Sequence, residues 1–485
     1  MVARMWQFHT GLGTLRSAVT KLAIAAGICL GGGAPAFAAN HSIPPQSASF
    51  DCQSAKPGDM VTLASGARGP LKIRNCEGTA ADPITIRNDP DGDGPTTIRR
   101  TTGNDGGFVF SCDNCVGVVI DGSYKWRGAP SGKTYGIKVT MTGGGAPSAF
   151  LRIGGLSKFV TIRNVEIDGA WPGLNSDGIG ISINDHSIKR SDYPGTWREG
   201  YLIEHNYIHD IEGEGMYVGP NYRDGDLPLR NIEIRFNLLE DIGWEGINTK
   251  SMLAGNNSVH HNVVRRVGKN DSQTTKPNQY AGINNNTGSV KIYNNWVEDT
   301  GTHGIKVGSG EGPPESAGYG PFASYVWNNV ILNAGSLWRS FMSESHGISV
   351  TAQDEREKPA PFIYSNTIIN PRGNGIHMSG SVAPGYVKDN IIAGVEGTPI
   401  QAPSVVIQSN NRTGVVSAML FVDAERKNYR LRPDSPARNK GSDGFPDTDF
   451  DDRARPQDGV PDQGAFEFSA STAAEPQAPK DLMVE

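Results

Sequence analysis

Two glutamates and a lysine near the middle of the chain are the residues best suited to chemistry. Glu214 and Glu245 each precede a glycine and an apolar residue, and Lys250 follows Glu245 by five positions. Two carboxylates can hold Ca²⁺, which prefers oxygen ligands, and a lysine whose pKa is lowered can act as a base. Such a set suits β-elimination on a uronic acid, which needs a base, a neutralised carboxylate and an acid for the leaving oxygen.

The motif that carries the glutamates recurs along the chain as a polar residue, then Gly, then Ile or Met. Its copies begin at Asp177, Glu214, Glu245, Ala281, His303, His346 and Asn374. A second motif is Asn followed by two mostly apolar residues, with copies at Asn164, Asn206, Asn237, Asn262, Asn295, Asn329, Asn366 and Asn390. Each copy offers strands too short to fold alone, so stacked copies must bury a shared core.

This repeat predicts an all-β fold, a right-handed parallel β-helix. Asn tolerates the left-handed backbone of a tight turn, and stacked Asn side chains can form a hydrogen-bonded ladder. A propeller blade needs a longer and more regular period, and a sandwich would lack the asparagine column. Because an open coil exposes sheet edges, we expect capped ends. We assign an N-terminal cap and first coils to 39–100, the helix to 101–400, C-terminal coils and cap to 401–468, and a disordered tail to 469–485.

Equivalent positions of stacked coils lie about 4.8 Å apart, so aligning the copies predicts which side chains share a face. The residue after each Ile or Met should point outward, which gives a row of Gly180, Tyr217, Asn248, Asn284, Lys306, Ser349 and His377. A second row, two residues further on, contains Lys250 and Asn286. With the two glutamates and the histidines, these rows form a polar strip that could hold an extended polysaccharide, although outward positions are also polar because they meet water.

The stretch Glu245-Gly-Ile-Asn-Thr-Lys250-Ser251 resembles the signature of the alginate lyase and chondroitinase B family of polysaccharide lyases. The resemblance implies Glu245 as a Ca²⁺ ligand and Lys250 as the Brønsted base. A second acidic ligand and an arginine are usual in that family, but those positions here hold Gly243 and Asn286. The metal charge would then come from Glu214 with Glu245, and the acid from His303, Tyr217 or water. The predicted substrate-binding residues are Asn248, Asn284, Asn286, Lys306, His346 and His377.

Three other functions remain open. A non-catalytic β-helix that binds polysaccharide needs only a broad surface of polar and aromatic side chains. A glycoside hydrolase needs two carboxylates about 5–10 Å apart, which Glu214 could form with Glu245 or with Asp177. A uronan C5-epimerase would share the fold and the first proton transfer, but the Asp-Pro-His-Asp sequence of those enzymes does not occur here.

The N-terminus has the features of a secretory signal. Arg4, Arg16 and Lys21 precede a short apolar run and the sequence APAFA, which predicts a signal peptide over 1–38 and a secreted or periplasmic protein without a membrane span. The formal net charge of −6 argues against nucleic acid as a partner. We expect a monomer that binds an anionic polysaccharide through local basic residues.

Four cysteines follow the predicted signal, an even number that suits an oxidising compartment. They are Cys52, Cys76, Cys112 and Cys115. Disulfides between Cys52 and Cys76 and between Cys112 and Cys115 are plausible, although four cysteines allow three pairings.

Overall fold

The computed structural model describes residues 38–101, 107–143, 147–172, 178–220, 225–271, 277–308, 322–352 and 358–469. The predicted signal, apart from Ala38, and the predicted tail from residue 470 onward lie outside the described residues. Asp177 also lies outside them.

Three long sheets are built from parallel strands, numbered here β1 to β40 in chain order. Sheet A contains, in spatial order, β1 (Asn40–Ile43), β3 (Met60–Leu63), β6 (Ile84–Asn88), β9 (Val116–Asp121), β12 (Lys158–Arg163), β15 (Arg198–Glu204), β18 (Leu229–Arg235), β22 (Ser258–His260), β25 (Val290–Tyr293), β28 (Ala323–Trp327), β31 (Ala360–Tyr364), β34 (Gly385–Lys388) and β37 (Val406–Ser409), with β21 (Met252–Ala254) also paired to β18.

Sheet B contains β2 (Ser49–Asp51), β5 (Leu71–Arg74), β8 (Phe108–Asp113), β11 (Ala149–Gly154), β14 (Ile179–Ile183), β17 (Met216–Val218), β20 (Ile247–Thr249), β24 (Ile283–Asn285), β27 (Ile305–Val307), β30 (Ile348–Thr351), β33 (Ile376–Ser379) and β36 (Ile400–Gln401). Sheet C contains β4 (Gly66–Arg68), β7 (Thr96–Arg100), β10 (Ile137–Met141), β13 (Val165–Asp168), β16 (Tyr207–Ile211), β19 (Leu238–Ile242), β23 (Val263–Val267), β26 (Trp296–Thr300), β29 (Val330–Ala334), β32 (Thr367–Ile369), β35 (Ile391–Ala393) and β38 (Arg412–Gly414).

Successive turns of the chain visit sheets A, C and B in that order, and each strand pairs in parallel with its equivalents one turn before and one turn after. This confirms the predicted right-handed parallel β-helix. The described residues contain no α-helix and therefore no helix able to cross a bilayer, only short 3-10 turns such as Cys52–Ser54 and Val416–Met419. The structure joins Cys52 to Cys76 and Cys112 to Cys115.

The glycine of the repeated motif is required by the close approach of stacked coils. A side-chain carbon at Gly246 would lie 2.6 Å from the carbonyl oxygen of Gly282, and one at Gly282 would lie 2.7 Å from that of Gly304. From Met216 onward, the apolar residue after each motif glycine points inward and is fully buried, as Ile247 and Ile283 are. Each such side chain contributes about 1.5–3 kcal/mol of hydrophobic stabilisation.

Eight asparagines, seven of them buried, form a ladder along the axis, as the sequence predicts in outline. Each side-chain Nδ2 donates to Oδ1 of the next asparagine at 2.9–3.0 Å, through Asn206, Asn237, Asn262, Asn295, Asn329, Asn366, Asn390 and Asn411. The second hydrogen of Nδ2 is also used; that of Asn295, for example, bonds the carbonyl of Val259 at 2.9 Å. The ladder therefore satisfies polar groups that would otherwise be buried at a cost.

Two details of the predicted asparagine column are wrong. Asn164 is not part of the ladder, because Val165 holds the equivalent position and donates its N–H to Oδ1 of Asn206 at 3.0 Å. The left-handed conformation belongs to the residue before each ladder asparagine, including Phe236 (φ 52°) and His261 (φ 54°), and Asn164 itself (φ 54°). The tight turn thus falls one residue earlier, and the ladder asparagine directs its amide toward the next coil.

Part of the C-terminal region folds back along the outer face of sheet C. The antiparallel pair β39 (Phe421–Asp423) and β40 (Asn428–Leu431) contributes to a buried cluster that includes Trp296 and Phe450. Asn328 Nδ2 donates to the carbonyl of Thr448 at 2.7 Å, which ties the same segment to the end of β28.

Replacing Asn295 with alanine should destabilise the fold, because it removes the partners of two buried amides, those of Asn262 and Asn329. We expect the free energy of unfolding to fall by about 2–4 kcal/mol, with a lower thermal midpoint by circular dichroism. The matched control is Asn256→Ala, at an exposed asparagine, which should change stability by less than about 0.5 kcal/mol. Equal midpoints for the two variants would contradict a stabilising ladder.

Candidate active site

A row of polar side chains crosses sheet B, one from each of seven neighbouring strands. Strand pairing sets their Cα atoms side by side, and the row is Ser182, Tyr217, Asn248, Asn284, Lys306, Ser349 and His377. From Tyr217 to His377 this is the row that the sequence predicts. The predicted first member, Gly180, is wrong, because β14 pairs with β17 through Ile181 and Met216, a shift of two residues.

The residues before the motif glycines stack at the bends that lead into these strands. The N–H of Gly215 donates to the carbonyl of Glu245 at 2.9 Å, and the N–H of Gly304 donates to that of His346 at 3.0 Å. This stacking brings Glu214 beside Glu245 and His303 beside His346. The ring centroids of the two histidines are 5.3 Å apart. The two carboxylates and the imidazoles therefore belong to one continuous column.

The acidic end of the strip is more buried than an open polar face would be. Glu245 is 1% exposed, Glu214 4% and Asn248 0%. An apolar cluster beside it contains Trp244, Tyr280, Trp338, Phe341 and Met342. Side chains predicted to point outward are therefore buried here, beside a cluster that includes Met342 from outside the repeat.

Glu245 is a buried carboxyl group with incomplete hydrogen bonding. Its Oε1 accepts from Asn284 Nδ2 at 3.3 Å, whereas Oε2 has no hydrogen-bond partner among the described residues. Burial, and after it the charge of Glu214, raise the pKa of Glu245 to about 8, against the opposing effect of Lys306 and Lys250. At neutral pH this carboxyl group therefore holds a proton unless a cation joins it.

The two lysines of the strip have different environments. Burial lowers the pKa of Lys306, although the carboxylate of Glu245 opposes this shift. Lys250 is half-buried, and its Nζ lies 4.7 Å from the ring centroid of Tyr217, a cation–π geometry. Lys250 stays the base that the sequence predicts, and the lowered pKa of Lys306 adds that lysine as a second candidate.

The histidines are held as neutral hydrogen-bond donors. Nδ1 of His303 accepts the backbone N–H of His346 at 3.2 Å, and Nδ1 of His346 accepts that of Asn374 at 2.9 Å. The remaining hydrogen of each neutral ring must then sit on Nε2. Burial, followed by nearby Lys306, lowers the pKa of His303 far below its usual range, and burial with His377 lowers that of His346 to about 4.

A cleft of about 230 Å³ opens at this imidazole end of the strip. Its lining includes His303, Lys306, Glu344, His346 and His377. The ring of His377 lies 4.2 Å from that of His346, and burial lowers the pKa of His377 as well. The cleft therefore combines a lysine of lowered pKa with several neutral N–H donors. Lys250, Tyr217 and the two strip glutamates are not among its lining residues.

The remaining predicted binding residues lie between the two ends of the strip. Asn286 is half-buried, and its Nδ2 donates to Oδ1 of Asn248 at 3.5 Å. Nδ2 of Asn248 has no hydrogen-bond partner among the described residues. A ligand oxygen that reached Asn248 would thus satisfy a buried donor.

The donor set at the strip glutamates does not by itself make a calcium cage. Ca²⁺ takes six to eight oxygen ligands, and among the described residues no third acidic, His or Cys side chain joins Glu214 and Glu245 within ligating distance. The unpartnered Oε2 of Glu245 is an atom that a bound cation would satisfy.

A second grouping of possible metal ligands lies in the cleft, where Glu344, His346 and His377 each bring one ligand atom within 4.8 Å of the others. The bond from Asn374 to Nδ1 of His346 leaves the hydrogen on Nε2, which points at Glu344 Oε2 at 3.3 Å. Nε2 would have to lose that hydrogen to bind a metal, so this grouping suits a carboxylate acceptor better than an ion.

The sequence interpretation did not identify Tyr280 or Glu344 as part of the site. Tyr280 comes directly before the Ala281 copy of the motif, and burial and then Glu245 raise its pKa to about 12. Aligning the position one residue before the polar column would have singled out Trp244 and Tyr280 together. Glu344 lies in a segment outside the repeat, where alignment of copies carries no signal.

Comparison with known proteins supports the fold. The chain matches no protein-family model and no curated protein. Among solved structures it is similar to pectate lyase Pel9A, with 11% identity, a TM-score of 0.50, and coverage of 86% of this chain and 89% of that chain. It also matches an alginate lyase from Paenibacillus sp. str. FPU-7, with 16% identity, a TM-score of 0.39, and coverage of 77% and 99%.

A further match is the GH136 lacto-N-biosidase from Eubacterium ramulus, with 13% identity, a TM-score of 0.43, and coverage of 78% of this chain and 68% of that chain. At these identities the likeness concerns the β-helix fold alone. The structural similarity to the pectate lyase agrees with the fold that the sequence repeat predicts.

Wild type should lose stability as the pH rises, and the variant Glu245→Gln should not. A raised pKa means that the folded chain holds this proton more tightly than the unfolded chain, whose glutamate pKa is about 4.3. Wild-type stability should therefore fall as pH rises from about 4.3 to about 8, and the glutamine variant should lack this loss. The measurement is the difference in melting temperature between wild type and variant at each pH in this range, in a buffer that contains a chelator.

The control for this prediction is Glu425→Gln, which removes an exposed glutamate in the turn between β39 and β40 and so reports the effect of the same substitution away from the strip. Parallel curves for Glu245→Gln and wild type would mean that Glu245 is ionised and paired at neutral pH. Repeating the series with Ca²⁺ tests the predicted ligand, because a bound ion would raise the melting temperature of wild type but not of the variant.

Proposed function

We propose that this chain is a polysaccharide lyase that cleaves a uronic-acid polysaccharide by β-elimination. The observation that carries the proposal is Lys306, a buried amine of lowered pKa in a cleft with neutral imidazole donors. A neutral amine can accept a proton from carbon, and N–H donors can stabilise the charge that develops on the adjacent carboxylate. A glycoside hydrolase would need two carboxylates beside the bond, and Glu344 is the acidic residue among those that line the cleft.

In the proposed reaction, Nζ of Lys306 takes the proton from the carbon next to the substrate carboxylate. The Nε2–H groups of His303 and His346 donate to the carboxylate oxygens as negative charge builds on them. The bond from the ring to the leaving oxygen then breaks as the carbon–carbon double bond forms. The leaving oxygen takes its proton from water, because a neutral imidazole is a poor acid.

Glu344 supports this placement of the substrate. Its carboxylate lies 3.3 Å from Nε2 of His346, and its side chain is 79% exposed. It occupies the position that a carboxylate of the polymer would take, and a solvated side chain can leave at little cost. Lys250, whose Nζ lies over the ring of Tyr217, then binds the carboxylate of a neighbouring sugar.

The proposal includes an exported chain with an anionic glycan as its partner. The predicted signal over 1–38 supports export to the periplasm or beyond, and Edman sequencing of the chain recovered from a secreting host tests the cleavage site. We expect the mature protein to be monomeric, with calcium as the metal implied by the resemblance.

Lys306→Ala should lower kcat about 10²–10⁴-fold, the usual contribution of a general base. Lys306→Arg should fail similarly, since arginine stays charged. Lys250→Ala should mainly raise KM. The assay follows ultraviolet absorbance of unsaturated ends on alginate, pectate, glucuronan and glycosaminoglycans, with chelator and with added Ca²⁺. Lys72→Ala, at a half-exposed lysine on another part of sheet B, is the matched control.

The outcomes separate the alternatives. Loss of kcat in Lys250→Ala with full activity in Lys306→Ala would make Lys250 the base, as the resemblance implies. If the chain binds the polymer but produces no new absorbance, no new reducing ends and no proton exchange at the uronic-acid carbon, it is a non-catalytic binding protein. New reducing ends without ultraviolet absorbance would indicate a glycoside hydrolase. Proton exchange at the uronic-acid carbon without chain cleavage would indicate an epimerase.

A further inference from the structure

An aromatic groove of about 500 Å³ lies on sheet A, away from the cleft on sheet B. Tyr325 and Phe362 line it together with Trp327 and Tyr364, and Phe445 completes it from the C-terminal region. Among the described lining residues there is no carboxylate, and there are two lysines, Lys291 and Lys388.

The groove follows from the register of sheet A. Residues two apart on a strand point to the same side, so β25, β28, β31 and β34 build two parallel columns. One column contains Tyr293, Trp327, Tyr364 and Lys388, and the other contains Lys291, Tyr325, Phe362 and Tyr386. Each column thus repeats at the coil spacing of about 4.8 Å.

The rings of each column support one another, so the surface is rigid. The centroids of Tyr293 and Trp327 are 4.3 Å apart with planes 7° from parallel, and those of Tyr325 and Phe362 are 4.7 Å apart at 12°. Phe445 meets Trp327 edge-on at 4.9 Å, which fixes the wall formed by the C-terminal segment. A ligand would find these side chains already placed and would not need to order them.

Large aromatic side chains remain accessible beside this groove. Tyr386 is 43% exposed and Phe445 is 42% exposed. Contiguous apolar surface of this kind marks binding sites on soluble proteins more often than isolated exposed residues do. The lysines restrict the choice of ligand: Lys291 is exposed, and Nζ of Lys388 lies 5.1 Å above the ring of Tyr364.

We infer that this groove binds a strand of a carboxylated polysaccharide, as a second site separate from the cleft. Sugar rings offer apolar C–H faces to aromatic side chains and hydroxyl groups to the tyrosines. The carboxylates of the strand pair with Lys291 and Lys388, and no carboxylate among the described lining residues opposes them. The inference takes the class of polymer from the proposed function, but it requires no catalysis.

A second site changes how the protein treats long and short chains. A polymer that occupies both the groove and the cleft is held at two places, which raises its apparent affinity through local concentration. A short oligosaccharide reaches only one site. Loss of the groove should therefore weaken binding of the polymer and leave turnover of short fragments unchanged.

The experiment measures binding to the Lys306→Ala chain, so that no substrate is consumed, by affinity electrophoresis in alginate, polygalacturonate or glucuronan. Adding Tyr325→Ala with Phe445→Ala should weaken binding of the preferred uronan about tenfold, since aromatic anchors in pockets dominate binding. Lys291→Ala with Lys388→Ala should weaken it as well, and more so at low salt. Cellulose derivatives without charge serve as the neutral probe.

The matched control is Phe159→Ala, which removes a phenylalanine that is 39% exposed on another strand of sheet A. It should leave binding unchanged, and melting temperatures check that every variant is folded. Unchanged binding in both groove variants would overturn the inference, and so would equal binding of the neutral polymer. Groove-dependent binding, together with a wild-type chain that shows no lyase activity, would support the inference while the proposed function failed.

Discussion

The fixed distance between neighbouring coils, set by hydrogen bonds between parallel strands at about 4.8 Å, is the constraint on which the rest of the molecule depends. It leaves no room for a side chain at Gly246, and it brings the amide of Asn295 within bonding distance of Asn329. It also decides which residues become neighbours on the surface. Both the polar row on sheet B and the aromatic columns on sheet A arise because residues far apart in sequence hold equivalent positions on successive coils.

Burial then decides the protonation of the site. A carboxyl group, a lysine and two imidazoles all lie where water is scarce, and each is moved toward its neutral form: Glu245 by a raised pKa, and Lys306 and His303 by lowered ones. Isolated charges would be costly at these buried positions, and a shift toward the neutral form lowers that cost. The proposed proton transfer relies on the same shifts, with a lysine as the base and imidazoles as N–H donors.

Much of the fold could be predicted from the sequence because the repeat reports equivalent positions directly. The row from Tyr217 to His377 and the ladder from Asn206 to Asn390 follow from aligning two motifs. The errors in the predicted register lie at the N-terminal end of the repeat. There the first glycine motif is two residues out of register, and Asn164 comes one position before the ladder position. Met342, beside the strip, and the C-terminal Phe445 belong to no repeat. The depth of the cleft and the wall of the groove therefore could not be derived from alignment.

The glycine column has a consequence for any search for functional residues by random mutation. A side chain at Gly215 or Gly246 would collide with the backbone of the next coil. Both glycines directly follow a strip glutamate, Glu214 or Glu245. Under the proposed function, such variants would lose activity as completely as a substitution of the base Lys306, although the glycines touch no substrate. A screen scored by activity alone would report these positions as hits, and only a parallel measurement of folded protein would separate architecture from chemistry.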